Sequence, residues 1–339
     1  MVASLLLRLV ARITAFNIKT WSLNPIRTQE KQFKYLINRA KRTSFGLDHN
    51  FHEITSYKDF VKSVPVRQYE GIKPYIERVK RGEGNILWPG KPIYFALTSG
   101  TTSGSKYIPI TKDSLKNHLN GAKNAILNYV AQTKKTSFIK GKFIFIQGSP
   151  LLNKISEISI GRLSGISAHH IPFYMQSKML PSWETNIIED WESKLERIID
   201  ETIDKDMTII SGIPSWVQMY FEKIVEKKQK KIGTIFQNFK LFIYGGVNYK
   251  PYEKKFKSLI GRKIDSIELF PASEGFYAFQ DKQESKELLL ILNDGIFYEF
   301  IEQKKFHSNI FDRISIAEVC LNTNYVLIVS TTAGLWAYN

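Results

Sequence analysis

The middle of the chain alternates short apolar runs with amphipathic segments, and this alternation constrains the fold more than any other feature. Four apolar runs predict buried strands, at residues 143–146, 207–210, 242–246 and 264–270. Helical segments separate them, one beginning at Ser215 and one over residues 252–259. Strands that alternate with helices are typical of sheets covered by helical layers. The sequence therefore predicts an α/β protein.

The two ends of the chain differ from this middle part. The first ninety residues predict helices and loops, and we expect the apolar segment at 2–11 to form a packed helix. A weakly membrane-associated amphipathic helix is the alternative for that segment. Near the C terminus, four runs predict successive strands, at residues 288–292, 297–301, 314–321 and 325–330. Asn293-Asp294-Gly295 favours a hairpin there, so we expect a C-terminal β-meander.

Charge composition narrows the class of protein. The 339 residues contain 48 Lys and Arg against 32 Asp and Glu, a formal net charge of +16. The lysines are mixed with acidic residues, and the densest cluster, at 227–231, follows Glu222 and Glu226 on a predicted exposed helix face. Zinc-finger spacings and RNP-type aromatic strands are missing from the sequence. These features favour a solvated surface or attraction of anionic substrates, and rank a nucleic-acid partner lowest.

Cysteine usage and hydropathy bear on location. Cys320 is the single cysteine, so the chain has no internal disulfide framework, and a reducing, cytoplasmic setting is expected. Its alternating surroundings predict a core position for Cys320. No apolar run reaches the ~18 residues of a membrane span, and we expect no membrane partner.

The run Thr-Ser-Gly-Thr-Thr-Ser-Gly-Ser-Lys at 98–106 is the most informative motif. Its glycines allow tight turns and close approach to a ligand, and clustered N–H and hydroxyl groups can cradle phosphate oxygens. It is not a Walker A loop, because Lys106 precedes Tyr107 and the run leads into a strand-like segment instead of a helix. The motif predicts a phosphate-binding loop, with Lys106 adding a positive charge.

Other candidate positions leave alternatives open. Glu274 follows a strand and can join a Mg²⁺ ion carried on nucleotide phosphates, or be a solvated carboxylate. Gly245 and Gly246 suit close approach of a planar base, although a plain turn is the simpler interpretation. The pair at 169–170, both histidines, predicts a surface or loop role. Trp216 and Met219 line an acyl pocket or simply pack.

Together these motifs resemble the GH3 family, the acyl acid–amido synthetases of the adenylate-forming superfamily, which includes acyl-CoA synthetases and luciferases. The resemblance extends from about residue 25 to the end. Besides the loop at 98–111, the segments that carry it, in family order, are 45–46, 59–60, 64–66, 69–70, 74–76, 82–89, 211–216, 245–246, 272–275, 298–301 and 332–335.

The resemblance implies the fold and the chemistry. The fold is the large N-terminal domain of the adenylate-forming type, with mixed sheets layered with helices. A carboxylic acid and Mg·ATP would form an acyl-adenylate, which an amine or amino acid would attack to give an amide. The residues implied to bind the β- and γ-phosphates are Ser99, Gly100, Thr101, Thr102 and Ser103. Gly245 and Gly246 would lie against adenine, Ser273 would contact the nucleotide and Glu274 would hold Mg²⁺. Phe270 stands where the superfamily usually has tyrosine, and keeps an aromatic face.

The resemblance breaks at the C terminus. The family continues beyond Tyr338 into a Gly-Asp pair that binds ribose, then a hinge and a small domain with a catalytic lysine, whereas the sequence ends at Asn339. We therefore expect residues 1–339 to form an incomplete N-terminal adenylation domain without the small domain. No catalytic residue is assigned, and amide synthesis by this chain is expected to be weak. The alternative is an inactive nucleotide- or acyl-binding remnant.

Overall fold

The computed structural model describes residues 2–99 and 105–339. The helices are α1 (Val2–Ser22), α2 (Pro25–Ala40), α3 (Ser44–Asp48), α4 (Tyr57–Ser63), α5 (Tyr69–Lys80), α6 (Lys112–Thr133), α7 (Leu163–Ala168), α8 (Phe173–Gln176), α9 (Trp183–Asn186), α10 (Trp191–Thr202), α11 (Pro214–Lys228), α12 (Ile232–Ile235), α13 (Glu253–Ile260) and α14 (Gln303–His307). The strands are β1 (Tyr94–Ser99), β2 (Ser105–Ile110), β3 (Lys142–Ile146), β4 (Asn153–Ile155), β5 (Ile158–Gly161), β6 (Met179–Leu180), β7 (Met207–Gly212), β8 (Leu241–Gly245), β9 (Asp265–Ala272), β10 (Gly275–Phe279), β11 (Leu289–Leu290), β12 (Ile296–Glu302), β13 (Ile314–Ser315) and β14 (Tyr325–Thr331).

A seven-stranded sheet forms the centre, in the order β11-β10-β9-β8-β7-β3-β6. The strands from β6 to β9 are parallel, and β10 and β11 add an antiparallel edge. Both faces are covered, because alternate side chains enter different cores. Ile209 and Ile243 join the core that includes residues of α6, whereas Ile210 and Phe242 join the core that includes residues of α10, α11 and α13. The predicted α/β architecture is confirmed.

Two smaller sheets flank this centre. One has the order β2-β1-β5-β4, and β1 and β2 form the antiparallel hairpin that carries the predicted phosphate loop. The other has the order β13-β12-β14, so β14 pairs with β12 and not with its neighbour in sequence. Gln29 of α2 anchors this sheet, because its amide donates to the carbonyls of Leu292 and Ile296 and accepts from the N–H of Tyr298.

Three sequence predictions for the C-terminal part are wrong. Asn293-Asp294-Gly295 does reverse the chain, with Gly295 at φ 79°, but β11 pairs with β10 while β12 pairs with β14, so no hairpin forms. The strand predicted over 314–321 stops at Ser315, because the Glu318 carboxylate accepts hydrogen bonds from the N–H and hydroxyl of Ser315 and closes a turn. Cys320 follows that turn and is exposed, not buried in the core.

The predicted N-terminal helix is present and longer than its apolar run. Its side chains Ala11, Ile18 and Trp21 are buried, and α1 lies along α6. In the described part of the chain, none of the helices combines the length and the hydropathy of a transmembrane span.

Candidate active site

The candidate site lies where parallel strands of the central sheet end. β7, β8 and β9 are adjacent and parallel, and Gly245 at the end of β8 is in register with Leu269 of β9. The segment that follows β8 and the turn that follows β9 therefore lie at the same edge. Ligands of open α/β sheets bind at the carboxyl ends of the strands. The sheet topology thus brings Gly245, Gly246, Ser273 and Glu274 to one edge of the molecule.

The glycine pair has structural reasons to be glycine. A Cβ on Gly245 would lie 2.4 Å from the carbonyl oxygen of Leu269, closer than real Cβ contacts. Gly246 has φ 84°, the left-handed region that favours glycine. Packing of β8 on β9 and the turn that follows account for both residues. The plain-turn interpretation is therefore sufficient for their identity, and contact with a base stays a prediction.

Glu274 occupies the two-residue turn between β9 and β10, beside Ser273. Its side chain is largely withdrawn from water, which raises the pKa of the carboxyl, while the positive charge of Lys106 opposes that rise. Phe270, near the end of β9, is 45 % exposed and packs edge-on against Tyr277 with ring centres 5.4 Å apart. Its aromatic face is therefore available to a ligand.

Lys106 is positioned by the β1–β2 hairpin, where it pairs with Thr98. Its ammonium nitrogen lies 5.8 Å from the ring centre of Tyr69, at the start of α5. The Tyr69 hydroxyl accepts a hydrogen bond of 3.0 Å from the backbone N–H of Tyr107, next to Lys106. This bond fixes α5 against β2. The structure thus brings the predicted loop lysine and the predicted metal-binding carboxylate, which are far apart in sequence, into one electrostatic environment.

Tyrosines that the sequence analysis did not select surround this pair. Burial raises the pKa of Tyr277 and Tyr338, and the nearby Glu274 charge raises both further. Tyr69 is also close enough to influence Tyr338. Tyr69 and Tyr338 stand in or beside segments that carry the family resemblance, which was the available signal. For Tyr277, the sequence offered no indication of a site residue beyond its place in an apolar run.

The centre of the predicted phosphate loop, Gly100, Thr101, Thr102 and Ser103, lies outside the described residues. Its two ends are described: Ser99 closes β1 and pairs in register with Ser105, the first residue of β2. The loop therefore starts and ends at the tip of a hairpin. The strand-like segment predicted after the loop belongs to β2, and Lys106 is the second residue of that strand.

Metal-binding capacity rests on a single carboxylate. Within 2–99 and 105–339, no group of three or more His, Cys, Asp or Glu side chains could hold a metal ion. Mg²⁺ that arrives on nucleotide phosphates needs only one or two carboxylates, with phosphate oxygens and water completing the shell. Glu274 fits that donor set and does not fit a resident protein metal site.

The remaining candidates are explained by local packing. His169 is exposed, and its Nε2 atom lies 2.9 Å from the carbonyl oxygen of Pro150. The Nε2 atom of His170 lies 3.1 Å from the Tyr94 hydroxyl oxygen. Trp216 packs on Trp191 with ring centres 4.7 Å apart. Met219 is partly exposed on the same helix. The loop position predicted for the histidines is confirmed, and the structure favours packing for Trp216.

Family models match two parts of the chain. Residues 15–186 match the GH3 family N-terminal domain, and residues 289–339 match the GH3 family central domain. The first match alone covers more than half of the chain.

Curated relatives match over short segments. The chain is 47 % identical over 58 residues to a probable indole-3-acetic acid-amido synthetase, GH3.13, of Oryza sativa subsp. japonica, which is 16 % of this chain and 12 % of that protein. It is 30 % identical over 100 residues to indole-3-acetic acid-amido synthetase GH3.2 of Arabidopsis thaliana, 29 % of this chain and 18 % of the relative.

Solved structures share the fold across nearly the whole chain. A GH3.15 acyl acid amido synthetase complexed with 2,4-DB superposes with a TM-score of 0.78 at 14 % identity, covering 97 % of this chain and 66 % of that one. A 2-hydroxyisobutyryl-CoA ligase with 2-HIB-AMP and CoA gives a TM-score of 0.59 at 12 % identity, covering 91 % of this chain and 61 % of the ligase. The fold is thus that of adenylate-forming ligases, over somewhat less than two thirds of their length.

The ordered motifs, the electrostatic proximity of Lys106 and Glu274 and the matching domain models agree with one another. The chain belongs to the GH3 family.

Proposed function

We propose that this chain is the nucleotide- and acid-binding part of an ATP-dependent acyl acid–amido synthetase. The observation that carries the proposal is the proximity of Glu274 to Lys106 of the β1–β2 hairpin, where the lysine charge acts on the carboxylate. A carboxylate for a phosphate-borne Mg²⁺ and a cation for phosphate oxygens are the two charges that phosphoryl chemistry on ATP requires. The GH3 fold around them supports this assignment.

Each residue of the site has a proposed role. The loop from Ser99 to Ser103 would hold the β- and γ-phosphates by backbone N–H groups and hydroxyls, with Lys106 adding charge. Gly245, Gly246 and Ser273 would line the nucleotide, and Phe270 would offer its exposed face. Glu274 would hold Mg²⁺, which supplies charge neutralisation on the phosphates when bound. The half-buried setting strengthens these electrostatic contacts because little water competes.

The proposed substrates are a carboxylic acid and an amine or amino acid, in a cytoplasmic setting. The relatives named as indole-3-acetic acid-amido synthetases and the structure with 2,4-DB support the acid. Residues 1–339 would act as one adenylation unit. For these residues we expect nucleotide binding that depends on Mg²⁺.

The test is magnesium-dependent ATP binding by the Glu274→Gln variant, measured by calorimetry. We expect the dissociation constant to rise about tenfold, the order of one lost ionic ligand contact. Glu268→Gln removes another carboxylate, on the β9 strand that precedes the Glu274 turn, and this control should bind ATP like the wild type. Omission of Mg²⁺ should weaken ATP binding by the wild type and leave ATP binding by Glu274→Gln unchanged.

ATP–pyrophosphate exchange over a panel of carboxylic acids then distinguishes an active adenylation site from an inactive binding remnant. Exchange that is lost in Glu274→Gln supports adenylation and identifies the acid class. Binding without exchange supports an inactive nucleotide- or acyl-binding remnant. A folded chain that binds ATP equally well with either residue at 274 contradicts the proposed site.

A further inference from the structure

The outward face of α1 is apolar, although the helix lies on the surface. Its core-facing side chains include Ala11, Ile18 and Trp21. Seven large apolar side chains at helical spacing point away from the core and are exposed, namely Val2, Leu5, Leu6, Leu9, Val10, Ile13 and Phe16. Leu5 is 71 % and Phe16 is 70 % exposed. A stripe of this length is unusual on a protein surface and indicates an interaction site.

A row of positive charge borders this apolar stripe. Arg8, Arg12 and Lys19 recur at spacings of four and seven residues, so they follow one edge of the helix, and all three are exposed. The first acidic residue of the chain is Glu30, so α1 carries no negative side chain. Within the described ranges, none of the three cations forms an ion pair with a carboxylate. The helix therefore presents an unneutralised cationic edge.

An open groove of about 440 Å³ lies between α1 and the end of α6. Its walls combine apolar side chains of Leu5, Leu9 and Val130 with the cationic side chains of Arg8, Arg12 and Lys134. Arg8 also donates a hydrogen bond of 2.9 Å to the Lys134 carbonyl, which keeps the two cationic residues together. An apolar floor under a cationic rim matches an anionic lipid headgroup with the first carbons of its chains.

We propose that α1 binds the surface of a membrane containing anionic lipids, lying flat with its apolar stripe in the headgroup region. An amphipathic helix with basic residues at the edge of its apolar face binds in this way. A second copy of the chain is less suited, because an antiparallel two-fold contact of this face would bring two uncompensated cationic edges together. The proposal departs from the sequence-based expectation of no membrane partner, and it does not depend on the proposed function.

The experiment is flotation of the full 339-residue chain with phosphatidylcholine vesicles, with and without phosphatidylglycerol. We expect at least tenfold tighter binding to the anionic vesicles. The triple variant Leu5→Gln, Leu9→Gln, Phe16→Ser should lose this binding. Its matched control, Leu151→Gln, Leu321→Gln, Phe173→Ser, removes exposed side chains of the same types elsewhere and should bind like the wild type.

Charge substitutions test the cationic edge separately. Arg12→Gln with Lys19→Gln should weaken binding by about 5-fold for each lost charge at low salt. Lys230→Gln with Lys254→Gln makes the same change in net charge at exposed positions elsewhere and should have little effect. Equal losses in the two double variants would show general electrostatic attraction and would overturn the proposal.

A fluorescent label localises the contact. Leu9→Cys in a Cys320→Ser background should shift a polarity-sensitive dye to the blue on binding, whereas the label at Cys320 in the wild type should not shift. Absence of binding to either vesicle by a folded chain overturns the proposal. The wild type could instead form a dimer and not bind vesicles, with the Leu5, Leu9 and Phe16 variant monomeric. That outcome would assign the apolar face to contact with a second copy of the chain.

Discussion

At the residue scale, His118 shows how burial sets a chemical property that the sequence does not reveal. The side chain lies on α6 and is buried, and neither ring nitrogen has a hydrogen-bond partner within the described residues. Burial lowers its pKa to about 4, because the charged imidazolium would lose its hydration. The folded chain therefore keeps His118 neutral where the unfolded chain would already be protonated.

This difference makes a pH-dependent contribution to stability. Between pH 6.5 and 4 the unfolded state binds more protons at this position, so the free energy of unfolding falls as the pH falls. We expect His118→Leu to be at least as stable as the wild type at pH 7. We also expect the variant to gain roughly 3 kcal/mol relative to the wild type at pH 4. Urea unfolding at both pH values measures this gain. His307 is exposed, so the control variant His307→Leu should differ from the wild type by the same free energy of unfolding at both pH values.

If the difference in the free energy of unfolding between His118→Leu and the wild type stays constant from pH 7 to pH 4, the assignment of His118 as neutral in the folded chain is contradicted.

At the element scale, the close contact of β8 with β9 defines the edge on which the candidate site is built. Gly245 lets the strands approach because it has no Cβ near the Leu269 carbonyl, and Gly246 turns the chain away at a positive φ. Two neighbouring glycines are therefore required for different reasons. One is a matter of space between strands and the other a matter of backbone conformation.

Substitutions separate these two reasons. Gly245→Ala should cost about 1–3 kcal/mol, since the Cβ would meet backbone atoms that cannot move cheaply. Gly246→Ala should cost about 1 kcal/mol from the strained backbone alone. Gly84→Ala is the control, because its Cβ would have contacts of 3.5 Å or more and no positive φ is involved. Urea denaturation gives all three values, and a stable Gly245→Ala that only loses ATP binding would favour a purely ligand-related role.

At the scale of the whole molecule, long-range contacts hold the sheets and the N-terminal helices together. The Arg313 guanidinium pairs with the Glu299 carboxylate at 3.0 Å in the core, and also donates to the carbonyl of Phe60. Thr111, which caps α6, donates to the carbonyl of Thr332 at 2.8 Å. Trp336 is fully buried, and its indole N–H donates to the Leu87 carbonyl. The last residues therefore belong to the main core.

Trp336→Ala should be strongly destabilising for this reason. The ring packs against Phe45, Phe51 and Trp88, and its removal should cost about 3–5 kcal/mol by leaving a cavity and an unpaired carbonyl. Trp183→Ala removes a partly exposed indole and is the matched control, with an expected cost below about 1 kcal/mol. Urea midpoints of the two variants that lie close together would contradict the anchoring role of the C-terminal segment.

The sequence by itself determined the features that depend on local periodicity and local chemistry. The apolar runs that became β3, β7, β8 and β9 were recognisable because strands covered on both faces are apolar at successive positions. The ordered motifs indicated the family, and the strand that follows the phosphate loop was recognisable from the sequence. Tertiary structure decided what depends on partners distant in sequence. β12 pairs with β14 and not with β11, because the side chain of Gln29, distant in sequence, bonds the carbonyls of Leu292 and Ile296 that lie between and at the start of these strands. Glu274 lies near Lys106 and Tyr338 only because the sheets come together. Only the packing of α1 decided that Ala11, Ile18 and Trp21 are buried while seven large apolar side chains of the same helix face outward.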